Sequence, residues 1–480
     1  MPLSDLREVI SRVLPLIKPS PEERRKVLRV LNYSVERVKE VVSSRGIEAE
    51  VVPLGSVPRD TWLAGSADID IFLLFPKDFP ENLLGATVMS IAREAFGSFT
   101  QKYAEHPYTT SSVEGIEVEL VPAYRINPGE PLKSKVDRTP LHHRYLMEKL
   151  NPHLKDEVRL LKSFTKAIGV YGAESKVEGF SGYLTELLIL FHGSFEGLIR
   201  SASDWREPVY IDIEKSVPRS IAEERFKGDP LIVIDPVDPN RNVAAPLSRT
   251  QFYRFTAACR ALLLRPTEDL FAIPGREKDE EPLSPMELKS MMDSRGTDLI
   301  VVVISEVDLP PEVMWTQAKA LSRRINTLLK ENDFKVIWCS GWTDEKSIIA
   351  VAVELESSVL SKAVLREGPK VNGPGEEKFL EKYSSSPEVF SGPYIHGDRW
   401  YVIRTRRERD ATVLISNYIH SQSFPKLLSS TKRLIFTQKE SRRMPREIRI
   451  FLKNELVRRE PFTRFLVEGL SLRSTQSRGE

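Results

Sequence analysis

The chain has 480 residues, of which 41% are hydrophobic and 29% charged, and its formal net charge is +2. That length exceeds one ordinary core and implies roughly two to four domains. The composition excludes disordered, collagen-like and fibrous proteins, and the near balance of charge gives no general attraction to nucleic acid. The distribution says more. From Thr431 onward there are 13 Lys/Arg against 6 Asp/Glu, a surface fit for phosphates or simply a solvated helix face. Cys259 and Cys339 match neither a zinc spacing nor a disulfide framework, so a reducing interior is expected. The opening MPLSDLREVISRVLPLIKPS has no continuous apolar stretch and does not read as a signal peptide. No apolar run reaches membrane-spanning length, so a cytoplasmic protein without a membrane partner is expected.

In chain order, Ser20-Pro21-Glu22-Glu23 reads as a capping box with Pro at the first helical position. The helix that follows should bury Val27, Leu28, Leu31, Val35, Val38 and Val42 on one face and stop at Gly46. A strand is predicted over 48–54. Gly55-Ser56 turns into a short segment ending near Leu63, and DIDIFLLF at Asp68–Phe75 is a strand entering a core. Leu83–Phe96 is helical in pattern, and IEVELV at Ile116–Val121 alternates as a strand. Residues 139–264 are mostly helical in pattern. Strands return at Leu299–Ile304, DFKVIWCS and KSIIAVAVELE, around the helix VMWTQAKALSRRINTLLKEN. The order β-α-β-β with a later helix predicts a small ferredoxin-like module. Segments near 273–285 and 368–375 are loops or joints.

The chemistry is concentrated in GSVPRDTWLAGSADIDIF, Gly55–Phe72. Asp68 and Asp70 are two apart on a strand, so both carboxylates emerge on one face. There they repel each other unless a divalent cation lies between them. Two solvated acids on a half-exposed strand would show the same spacing. The upstream Gly55-Ser56 turn alters the balance, because its backbone N–H groups and hydroxyl can cradle a phosphate, with Arg59 one turn on to add charge-assisted contacts. A third acid would come from the strand at 116–121, where Glu117 and Glu119 share a face; spacing does not choose between them.

These motifs resemble the polymerase-β-like nucleotidyltransferase superfamily and, more closely, the archaeal (class I) CCA-adding enzymes. The resemblance runs through YAEHPY at Tyr103–Tyr108, VELVPAY at Val118–Tyr124, VDRTPLHH at Val136–His143, LLKSFTKAIGVYGAESKVEGFSGYLTELLI at Leu160–Ile189 and DPVDPNRNVAAPLS at Asp235–Ser248. It covers about half the chain directly. It implies an α+β multidomain fold: a mixed-sheet catalytic head over 1–140, a helical nucleotide-binding neck over 141–265, and an α/β tRNA-binding body with a ferredoxin-like tail over 266–480. It also implies that Glu119 is the third metal-binding acid beside Asp68 and Asp70, with Mg2+ as cofactor. Gly55, Ser56 and Arg59 would hold the triphosphate, Thr139 and His142 would line the nucleotide pocket, and Lys162 and Tyr171 would contact phosphate or sugar. Arg241 would face the base, and His143 would be structural.

The reaction so implied is attack of a tRNA 3′-hydroxyl on the α-phosphate of CTP or ATP with loss of pyrophosphate, adding C, C and A without a template. Arg295, Arg323, Arg324, Arg404, Arg406, Arg407 and the basic tail form the group expected to meet tRNA, read by shape and backbone. A homodimer stands beside a monomer as the assembly expected. The alternatives are a poly(A) or poly(U) polymerase built on the same acids, a non-catalytic RNA-binding relative, and a small-molecule nucleotidyltransferase. The retained acids count against the second and the long C-terminal half against the third.

Overall fold

A computed structural model describes residues 5–103, 106–127, 129–276 and 281–476. The chain divides into two compact units, Met1–Asp279 with Arg459–Glu480, and Glu280–Arg458.

The first unit opens with helices α1 (Leu6–Ile17) and α2 (Pro21–Ser44). Ser20 caps α2 by accepting from the Glu23 N–H. The expected capping box is only half made, because the Glu23 carboxylate instead accepts from the Gly65 N–H at 2.7 Å. Gly46, at φ +62°, ends the run. Val27, Leu31, Val35, Val38 and Val42 are buried as expected, but Leu28 is 46% exposed. It follows Val27 directly and falls off the i, i+3, i+4 stripe, which Val30 and Val41 fill instead.

Next come β1 (Glu50–Leu54), the single turn α3 (Ser56–Arg59), β2 (Asp68–Phe75), α4 (Glu81–Phe96), β3 (Thr100–Tyr103), β4 (Pro107–Val113) and β5 (Ile116–Tyr124). The sheet order is β1-β2-β5-β4-β3, with β2 and β5 parallel. Ile69, Ile71 and Leu73 pack with the apolar faces of α2 and α4, while Phe72 and Leu74 cluster with Leu54 and Ala123. Alternation therefore puts Asp68 and Asp70 on the face away from those helices.

The same unit continues with α5 (Arg138–Lys149), α6 (Pro152–Ala167), α7 (Gly182–His192), α8 (Phe195–Ala202), β6 (Val209–Ile211), α9 (Arg219–Arg225), β7 (Leu231–Asp235), β8 (Asp238–Asn242) and α10 (Arg249–Leu264). Phe164, Phe180, Phe195, Phe252 and Phe255 fill its core. The helical pattern over 139–264 holds, but it hides the small sheet β6-β7-β8.

The second unit contains α11 (Pro285–Arg295), β9 (Asp298–Ser305), α12 (Pro311–Glu331), β10 (Val336–Thr343), β11 (Ile349–Leu355), β12 (Ala363–Lys370), α13 (Glu376–Ser384), β13 (Val389–His396), β14 (Arg399–Thr405), α14 (Ala411–Ile419), β15 (Lys432–Thr437) and α15 (Arg446–Leu456). Its main sheet runs β10-β11-β9-β15, every neighbour antiparallel. With α12 and α14 packed on one face, this is the expected ferredoxin-like order. It is interrupted between β11 and α14 by α13 and the sheet β12-β14-β13. Residues of α11 and α15 cover the other face.

The last helix, α16 (Thr463–Gln476), belongs to the first unit. Phe462 and Phe465 join that unit's core, Glu460 takes both ends of the Arg254 guanidinium at 2.7 and 2.8 Å, and Gly469 lets the helix close on Leu264. Among the described residues, no helix is long and apolar enough to cross a membrane.

Candidate active site

Three groups of side chains, all in the first unit, gather the residues expected to hold metal and nucleotide. The first lies on the central strands. Parallel pairing sets Asp68 opposite Glu117 and Asp70 opposite Glu119, so all four acids share one face. Burial, followed by the nearby Glu119 and Asp68 carboxylates, pushes Asp70 up to about 7 against a weaker pull from Arg59. Asp68 is also raised, by burial and then Glu117, with Lys166 and Lys102 opposing. Glu119 Oε1 receives Lys102 Nζ at 3.2 Å and Thr110 Oγ1 at 3.2 Å, and Lys102 also lies 3.8 Å from Glu117. Among the described residues, no group of three or more His, Cys, Asp or Glu is gathered to hold a metal ion.

The Gly55-Ser56 turn closes on this face. Gly55 has φ +82°, and a Cβ there would fall 1.8 Å from Asp70 Oδ2. Only glycine satisfies both the backbone angle and the approach. Ser56 then opens α3.

The second group surrounds Glu186, which is fully buried on α7. Its Oε1 accepts from Arg59 Nε at 3.0 Å and Thr61 Oγ1 at 2.7 Å, and Lys162 Nζ lies 3.8 Å away. Burial raises the Glu186 carboxyl, but Arg59 and Lys162 outweigh it and hold it low. Lys162 also donates to the Thr61 carbonyl at 3.1 Å, and burial lowers its ammonium to about 8. Arg59 NH1 lies 3.4 Å from His143 Nδ1; burial, then the Arg59 charge, brings that imidazole down to about 4. A neutral ring can accept from Arg59. Tyr171, half-buried, feels Glu186, Arg59 and Asp68, and its hydroxyl is strongly raised, by desolvation above all. Lys166 Nζ sits 5.4 Å from the Tyr171 ring centre. Arg59, expected to hold the triphosphate, is bound to Glu186 through Nε and lies against His143.

The third group centres on Asp235 at the end of β7, again fully buried. It binds His142 Nε2 at 2.8 Å and Arg241 NH1 at 2.8 Å through Oδ2. The Tyr183 hydroxyl reaches Oδ1 at 3.2 Å, and the His142 and Tyr183 rings stack at 3.9 Å. Burial lowers the His142 imidazole despite Asp235. Thr139 lies one turn before His142 on α5, half-buried.

Residue-type reasoning missed Glu186, Asp235, Tyr183, Lys166 and Lys102. Two of these had a visible signal: Glu186 is the only charge in the apolar helix SGYLTELLILF, and Asp235 closes the apolar strand LIVID. Buried charges of that kind need partners.

Comparison with known proteins gives three family matches: "Nucleotidyltransferase domain" over residues 35–142, "tRNA nucleotidyltransferase, second domain" over 156–272, and "CCA-adding enzyme, C-terminal domain" over 295–433. The CCA-adding enzyme of Pyrobaculum neutrophilum is 39% identical over 84% of this chain and 92% of its own. That of Halobacterium salinarum is 36% identical over 85% and 87%. A crystal structure of the Cid1 poly(U) polymerase covers 57% of this chain and 100% of its own, at 17% identity and a TM-score of 0.43, too slight a likeness to argue from. By identity across most of both chains, this chain belongs to the family of CCA-adding enzymes.

Proposed function

We infer that the protein adds C, C and A in turn to the 3′ end of tRNA, using CTP and ATP and releasing pyrophosphate. The observation that carries this reading is the parallel register setting Asp68 and Asp70 against Glu117 and Glu119, with Gly55 closed on Asp70, in a chain of this family.

Nucleotidyltransferases generally use divalent metal ions, and the carboxylates on this face are donors of the right kind for one, with Glu119 exchanging Lys102 for the ion. The donors are hard carboxylate oxygens, and the Asp70 carboxyl is raised first by burial and then by the Glu119 and Asp68 charges, which Arg59 opposes only in part. Asp68, Asp70 and Glu119 are the residues that would hold magnesium. Bound there, it would acidify the attacking 3′-hydroxyl and neutralise the departing pyrophosphate.

The chain's own groups do the rest. Glu119, beside the attacking hydroxyl, is the proton acceptor. The N–H groups at Gly55-Ser56 and the Ser56 hydroxyl receive phosphate oxygens. Arg59 and Lys162 contribute positive potential while Glu186 fixes their positions, and Tyr171 packs beside the sugar. Thr139 and His142 line the base pocket, and Arg241 donates to acceptors on the cytosine or adenine edge. Residues 1–140 act as the catalytic head, 141–265 as the nucleotide-binding neck and 266–480 as the tRNA-binding region, with the reaction taking place in the cytoplasm where tRNA is found.

The test is incorporation on a tRNA ending at the discriminator base, with CTP and ATP supplied singly and together in magnesium. Two C residues with CTP alone, and CCA with both, are expected. A homopolymeric tail would support a poly(A) or poly(U) polymerase instead, and no pyrophosphate release would overturn catalysis altogether.

A further inference from the structure

We propose that Asp235 is the positioning residue for nucleotide choice, its single buried carboxylate holding Arg241, His142 and Tyr183 as one preassembled reading surface. The proposal rests on the reading of Arg241 as the residue that faces the base.

Four donors from four places in the chain converge on this side chain. Arg241 comes from β8, His142 from α5, Tyr183 from α7, and the Val237 N–H from the turn after β7, at 2.8, 2.8, 3.2 and 3.1 Å. A carboxylate only accepts, so His142 Nε2 carries the proton and Nδ1 remains an acceptor. The stacked Tyr183 ring keeps the imidazole plane fixed. For Arg241 the effect is larger. One nitrogen is committed to Asp235, while 32% of the side chain stays exposed. The guanidinium is therefore neutralised locally, so it is not drawn wholesale to a triphosphate, and its remaining donors are presented in a fixed direction. A free arginine would attract any nucleotide through charge. A tethered one distinguishes nucleotides by where their acceptors lie, and a fixed polar group discriminates far better than a mobile one. Asp235 is the side chain of this group that contacts all three readers, while the His142–Tyr183 stack and the Arg138–Asp238 pair at 2.9 Å also tie α5 to α7 and β8, so removing the carboxylate should release Arg241 most and His142 and Tyr183 less.

The test compares wild type, Asp235→Asn, Tyr183→Phe, Arg241→Ala and the Asp235→Asn/Arg241→Ala double variant. Relative kcat/KM is measured for CTP against UTP on tRNA ending at the discriminator base, and for ATP against GTP on tRNA ending in CC. Asp235→Asn should lower discrimination by about tenfold or more, with tRNA binding unchanged, and should add nothing once Arg241 is gone. A purely structural role would instead lower all substrates alike and add to the Arg241→Ala loss; either result overturns the proposal. If Asp235→Asn does not fold, Tyr183→Phe decides: it removes one donor but keeps the ring, and a smaller loss of discrimination supports the proposal while unchanged discrimination overturns it. A wild-type protein that adds neither C nor A would instead refute the functional reading itself.

Discussion

Gly55 and Asp70 are in contact across the end of the central sheet, so closely that a Cβ on the glycine would fall 1.8 Å from Asp70 Oδ2 and 2.9 Å from Cγ. Because the obstacle is a side chain, Gly55→Ala should fold, at some cost from its φ of +82°. The carboxylate must swing aside, and a displacement of about 1 Å in a catalytic group can cost about a hundredfold in rate. Single-turnover incorporation should fall by at least that order while tRNA affinity stays near wild type. A variant with wild-type kcat would show that Asp70 need not stand where it does.

The same crowding makes the metal-free protein sensitive to pH. The folded Asp70 carboxyl titrates at about 7 against an ordinary 3.8. Between these values the folded state binds the extra proton, so stability is lost as pH rises through the window. His143 acts with opposite sign over about 4 to 6.5, because its folded value is lowered. The difference between wild type and Asp70→Asn removes that contribution. With chelator present, wild-type Tm should fall relative to Asp70→Asn between pH 4 and 7, and magnesium at pH 7.5 should recover the loss in wild type alone. A constant difference across the range would contradict the argument.

Glu186 stands between two buried cations. Alanine there leaves Arg59 and Lys162 uncompensated, a change that typically costs about 3–5 kcal/mol. Glu186→Gln, which keeps an acceptor for Thr61, should cost less. Thermal melts of the two variants should rank accordingly, both below wild type. Equal melting of wild type and Glu186→Ala would show that the cations find water or other partners.

Much of this was legible before folding because β2 obeys a local rule. Alternation and an apolar end mark Asp68–Phe75 to the residue, and the ferredoxin-like order follows from strands and helices with strong periodicity. Glu117 and Glu119 could not be told apart by spacing, for the structure pairs each with its own aspartate. The sheet β6-β7-β8 escaped because its last strand, DPNRN, consists of poor strand formers held by neighbours. The sheet β12-β14-β13 escaped for a similar reason, being interrupted by Gly-Pro pairs in REGPK and SGPYIH. The partner of Arg59 was not legible, because nothing near it in sequence announces Glu186, 127 residues away.

The arginines expected to meet tRNA separate by their surroundings within the second unit. Arg295 donates to Glu354 at 2.8 Å and to the Leu456 carbonyl at 2.6 Å. Glu354 is buried and also accepts from Thr297 and Trp338. Arg406 is tied to Asp333. By contrast, Arg323 and Arg324 are exposed on α12 at a groove of about 360 Å³ shared with Thr327 and Tyr418. A phosphate contact contributes about one unit to the slope of log affinity against log salt. Arg323→Ala and Arg324→Ala should therefore weaken tRNA binding and flatten that slope by about one each, with little change in Tm. Arg295→Ala should do the reverse, lowering Tm because it strands the buried Glu354 charge, while leaving the slope intact. Filter binding over a salt series, with melts of the same preparations, separates the two effects; a flattened slope in Arg295→Ala alone would reverse the assignment.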